Sequence, residues 1–99
     1  SKKLGDILYK KLNELKDKYP IISEVRGKGL MLGMELRDEN NEPNPLKTDA
    51  VLEQLKDDGI ILGKNGLHRN VLAFQPPLVI EESDIDFLID RLDYALANA

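Results

Sequence analysis

Residues 25–36 read Val-Arg-Gly-Lys-Gly-Leu-Met-Leu-Gly-Met-Glu-Leu, and no other stretch limits the possible folds of this chain so strongly. After the glycines the side chains alternate. Leu30, Leu32, Met34 and Leu36 fall on one face of an extended strand, and Met31, Gly33 and Glu35 fall on the other, because a strand repeats every two residues. The Gly-Lys-Gly lead-in suits a bend, a bulge or a close backbone approach, where freedom in φ and lack of bulk are useful. A phosphate-cradling loop would need a strand before its glycines and a helix after them. Here the strand comes after, so the order favours the structural use.

Helical patterns flank this strand. Leu4, Ile7, Leu8, Leu12 and Leu15 repeat at helical spacing within residues 2–18, which predicts an amphipathic helix ending at Tyr19-Pro20, since the residue before proline is pushed out of helical geometry. Ile21 and Ile22 lead into the alternating strand. The run Arg37-Asp38-Glu39-Asn40-Asn41-Glu42-Pro43-Asn44-Pro45-Leu46 reads as an exposed loop. Thr48 is the expected cap of a second helix, with Asp49 in its first turn, Val51, Leu52 and Leu55 inward, and Gly59 at its end. Ile60-Ile61-Leu62-Gly63 and Val71-Leu72-Ala73-Phe74-Gln75 are expected to pair as a hairpin across a turn containing Asn65-Gly66, the second strand being stopped by Pro76-Pro77. Ser83 with Asp86 resembles a capping box. It opens a last helix whose stripe is Ile85, Leu88, Ile89, Leu92 and Leu96.

The predicted order is helix-strand-helix-strand-strand-helix. A right-handed crossover leaves the first two strands parallel, and the third inserts between them, antiparallel to both. The expectation is an α+β, two-layer α-β-α-β-β-α domain over residues 1–99, with a three-stranded antiparallel sheet in spatial order 2-3-1 and helices on one face. The other face would then show Met31, Gly33, Val71 and Ala73. That surface is small and apolar, which suits packing against something else, although surfaces also tolerate such patches in isolation.

Composition narrows the function classes. A net charge of −4 over 99 residues, with a pI near 4.9, argues against nucleic-acid partners, which call for a basic face. Without cysteine there is no disulfide framework, thiolate metal site or cysteine nucleophile. No apolar run has the length of a membrane span, so a soluble protein is expected, with its compartment left open and the cytosol favoured. The Ser1 start suggests a processed or cloned chain, or a piece of a larger one.

Residue chemistry by itself outlines no active site. His68 is the sole histidine and lies in a polar turn, whereas metal ligands come in sets. Asp84 and Asp86 suit a helix N-terminus. Neither Ser23 nor Ser83 sits in a Gly-x-Ser-x-Gly setting. Arg26 is a weak candidate for binding a carboxylate, and pairing with a neighbouring acid is its favoured use.

The motifs together carry a family resemblance. Val25-Arg26-Gly27-Lys28-Gly29-Leu30-Met31-Leu32-Gly33-Met34-Glu35, Gly59-Ile60-Ile61-Leu62-Gly63-Lys64, Asn70-Val71-Leu72, Phe74-Gln75-Pro76-Pro77-Leu78 and Asp84-Ile85-Asp86 occur in order. Over nearly its whole length the chain resembles the C-terminal small domain of class III pyridoxal-phosphate aminotransferases, of the alanine–glyoxylate and ornithine types. The resemblance implies a transferase whose cofactor, pyridoxal phosphate, acts as an electron sink on a lysine Schiff base. It also implies a partner, the large cofactor-binding domain, which carries that lysine, the acid on the pyridine nitrogen and the phosphate loop. None of those motifs occurs here, so no cofactor or catalytic residue is expected in this chain alone. In the family, an arginine before the Pro-Pro pair grips the substrate carboxylate. Ala73 occupies that position, so no substrate-binding residue is retained there. Two explanations stay open: a parent enzyme that works without the clamp, or an excised or designed stand-alone α+β scaffold.

Overall fold

The computed structural model describes residues 2–28, 31–66, 68–74 and 81–98. The elements follow as α1 (Lys2–Lys18), β1 (Ile22–Lys28), β2 (Met31–Leu36), α2 (Pro45–Asp57), β3 (Gly63–Asn65), β4 (Val71–Phe74) and α3 (Glu82–Asn98). The sheet has four strands, not the expected three, in the order β1-β2-β4-β3, and every neighbouring pair is antiparallel. The part of the sheet that was expected is present: β4 lies between β2 and β3. The extra strand comes from residues 22–28, expected only as a lead-in. They pair with β2 from Lys28↔Met31 to Ile22↔Leu36, with an irregularity between Ile22 and Glu24. Ile-Ser-Glu-Val-Arg-Gly-Lys lacks strict alternation, and the irregularity is what brings both Ile22 and Val25 to the buried face. Leu30 and the Gln75-Pro76-Pro77 stop lie outside the described residues, as does the side chain of Met31.

One face of the sheet meets all three helices. Val25, Met34, Leu36, Leu72 and Phe74 join Leu8, Leu12 and Leu15 of α1, Val51 and Leu55 of α2, and Ile85, Leu88, Leu92 and Leu96 of α3 in a single core. Helices α1 and α3 run in the same direction, as the ion pairs Lys11–Asp86 (3.9 Å) and Lys18–Asp93 (2.9 Å) show. Just past α1, Tyr19 donates its hydroxyl to the Asp93 carboxylate and to the Asp93 carbonyl. The Tyr19 hydroxyl and the Lys18 ammonium hold the Asp93 carboxyl below its usual range, against the opposing effect of burial.

Two helix starts differ from expectation. Asn44, not Thr48, caps α2: its Oδ1 accepts from the Lys47 N–H at 3.2 Å. Pro45 takes the first helical position, where no N–H is missed. Thr48 is buried one turn further in, its hydroxyl donating to the Asn44 carbonyl at 2.9 Å. At α3 the reciprocal cap is displaced by two residues, with Asp84 Oδ2 accepting from the Glu81 N–H at 2.9 Å. Ser83 instead turns its hydroxyl towards Glu81.

Helix α2 ends where expected, and the way it ends moves the next strand. Gly59 adopts φ +84°, its N–H donating to Lys56 O at 3.0 Å and that of Ile60 to Leu55 O at 2.8 Å, the paired bonds of a Schellman turn. Ile60 is thereby spent on closing the helix and buried, Ile61 is left 76% exposed, and β3 begins only at Gly63. The hairpin with β4 forms in the register Gly63↔Ala73 and Asn65↔Val71.

Asn70 ties the crossover to the sheet. Its backbone carbonyl accepts from Leu36 N–H and its side-chain Nδ2 donates to Leu36 O, both at 2.8 Å, and the Asn44 N–H reaches the same Leu36 carbonyl at 3.1 Å. Asn70 is 2% exposed, so an apolar replacement removes a donor from a site water does not reach. Asn70→Ala is expected to lower unfolding free energy by about 1–3 kcal/mol, read as a shift in the urea midpoint; an unchanged midpoint would show that this bond contributes nothing.

Candidate functional site

The sheet face away from the helices carries two rows of paired residues. One runs Arg26–Gly33–Ala73–Gly63 across all four strands, and the next runs Glu24–Glu35–Val71–Asn65. In the first row two glycines flank an alanine, so the floor beside Arg26 is nearly free of side chains. A Cβ added at Gly63 would lie 3.4 Å from the Ala73 Cβ, and one at Gly33 would meet Val71 Cγ1 at 3.2 Å. Ala73 lies on this face as expected, since its neighbours Leu72 and Phe74 are in the core. The face is not open there, however: Ala73 is 2% exposed.

The second row is polar, contrary to the apolar face expected. Glu35, with its side chain 16% exposed, accepts from Arg37 Nε at 2.9 Å, Ser23 Oγ at 2.8 Å and Arg26 Nη2 at 3.2 Å. Arg37 also donates to Asn41 O at 2.8 Å, and Arg26 reaches Glu24 at 3.5 Å. Burial alone would raise the Glu35 carboxyl, but the hydrogen bonds from Arg37 and Ser23 and the charges of Arg37 and Arg26 outweigh it and hold the group below its ordinary value. Arg26 is thus paired with acids of its own hairpin. Spacing signals only the Glu35–Arg37 pair, two residues apart on one strand face, and not Ser23 or Arg26. Ser23 reaches Glu35 through the irregular pairing of β1, and Arg37 lies two residues on along the same extended face. The tight turn at residues 38–42, where Asp38 Oδ1 accepts from the N–H groups of Asn40 and Glu42, brings the Asn41 carbonyl to Arg37.

His68 is exposed in its turn. Among the described residues, no group of three or more His, Asp or Glu side chains is placed to hold a metal ion. A shallow groove of about 260 Å³ between α2 and α3 is lined by Ala50, Glu53, Gln54, Asp57, Ala95 and Asn98, without a nucleophile and base in contact. No described helix is long and apolar enough to cross a membrane.

Comparison with known proteins decides the family. The model of the class III aminotransferases matches residues 1–96. The chain belongs to the class III aminotransferase family. It is 38% identical over 97 residues to the mitochondrial alanine–glyoxylate aminotransferase 2 homolog 2 of Arabidopsis thaliana, covering 96% of this chain and 20% of that protein. An alanine/serine racemase of Pyrococcus horikoshii is 33% identical over 95 residues, again 96% of this chain and 20% of the relative. Among solved structures, an Arthrobacter phospholyase in complex with phosphoethanolamine superposes with a TM-score of 0.90 at 30% identity, covering 98% of this chain and 24% of that one. The chain therefore spans about a fifth of the length of the curated relatives it matches. The described residues form an α+β fold, and it is the fold of this fifth that the matches share.

Two outcomes test this face. Glu35→Gln is expected to cost about 1–2 kcal/mol, below the full value of charged hydrogen bonds because Arg26 is half exposed and screened. Its folded carboxyl is depressed, so the stability it supplies is present above the unfolded value of about 4.3 and is lost as pH falls through the folded value. Stability of Glu35→Gln should accordingly fall less steeply on acidification, and parallel curves would refute the assignment. Gly33→Ala should change the stability of the chain by less than about 1 kcal/mol, since only the Val71 side chain must give way. A loss above about 3 kcal/mol would place Gly33 in the chain's own packing.

Proposed function

We propose that residues 1–99 are the small, C-terminal domain of a pyridoxal-phosphate-dependent class III aminotransferase, not catalytic alone. In the parent enzyme an amino group would pass to a 2-oxo acid such as glyoxylate or pyruvate. The observation that carries this reading is the pairing of a family match over residues 1–96 with a span of only a fifth of each curated relative cited. The sheet face with Gly33, Ala73 and Gly63 is the surface we assign to the large domain, because close backbone approach needs short side chains.

The described residues do not fit the cofactor. An imine-forming lysine needs a desolvated, unpaired amine, and none of the described side chains on the non-helix face is a lysine. Lys64 is tied to Asp49 at 2.6 Å and Lys18 to Asp93. On this reading the cofactor's lysine and phosphate donors belong to the rest of the parent. The relatives bear on what this domain contributes. One is named as an aminotransferase, one as a racemase and one as a phospholyase. A domain shared among them shapes and closes a site whose reaction type is chosen elsewhere.

A second reading, a stand-alone α+β scaffold without enzymatic activity, draws on the closed core and on the lack of any unpaired buried side-chain polar atom among the described residues. Two experiments separate the readings. Titrated with pyridoxal phosphate, then trapped with borohydride and peptide-mapped, the isolated chain should show scattered lysine labelling; one saturable, dominant lysine would overturn the claim that the chain lacks a cofactor site. Exchanged for the matching fifth of the Arabidopsis relative, residues 1–99 should give a folded, cofactor-loaded chimera with measurable transaminase turnover. A chimera that folds and loads cofactor but has no turnover would favour the scaffold.

A further inference from the structure

We draw no further inference here: the strongest candidate, the row of Gly33, Ala73 and Gly63 on the sheet face away from the helices with Arg26 at its β1 end, belongs to the surface already assigned to the large domain, and nothing in the structure shows a ligand that would lie on it.

Discussion

The antiparallel pairing of β2 with β4 is the constraint on which the rest of the molecule depends. Its register sets Leu32 opposite Phe74, Gly33 opposite Ala73, Met34 opposite Leu72 and Glu35 opposite Val71. Because the pleat sends alternate residues to opposite sides, this one register assigns Met34, Leu72 and Phe74 to the core and Gly33, Glu35 and Ala73 to the far face. A slip by one residue would exchange the two sets, burying Glu35 beneath the helices. The added strand β1 and the short edge strand β3 extend these faces outward. Lys64 illustrates the edge: its β-pairing partner is the core residue Leu72, and its ammonium reaches past the core to Asp49 on α2.

Two polar nodes secure that register from opposite sides. On the helix side, the Leu36 carbonyl takes donors from both Asn70 and Asn44, so the end of β2, the start of β4 and the cap of α2 meet at one oxygen. On the far side, Glu35 gathers Ser23, Arg26 and Arg37, joining β1 to β2 and to the turn that follows. The first node is buried, so its bonds are costly to leave unmade. The second is partly exposed and its charges balance, two arginines against Glu24 and Glu35, so it braces the hairpin without creating a cationic site.

This distribution suits the role we propose, a domain that shapes a site without supplying its reactive groups. Arginine, acid and serine are engaged with one another on the far face, and the smooth row beside them is the work of glycines and an alanine. What that face offers is close approach. The polar Glu35 row, unlike a bare apolar sheet, also lets the domain stand in water with its own core closed.

The sequence by itself determined the helices, the central strands and the family. Leu8, Leu12 and Leu15, or Ile85, Leu88 and Leu92, state a helical period directly, and the Gly59 stop needs only the left-handed geometry that glycine allows. The motif order was equally legible, because the family match over residues 1–96 depends on residues in sequence. Tertiary structure decided the rest. Strand β1 is irregular in its own pattern and becomes a strand because β2 offers it an unpaired edge. The Asn44 cap displaces Thr48 because Pro45 can begin a helix and Thr48 is needed in the packed interior. The cluster around Glu35 joins residues 2 to 12 positions apart along the chain. The Glu35–Arg37 pair follows the strand period, but only the pairing of β1 with β2 brings Ser23 and Arg26 to it, since a hydrogen bond across strands depends on register and leaves no period in the sequence.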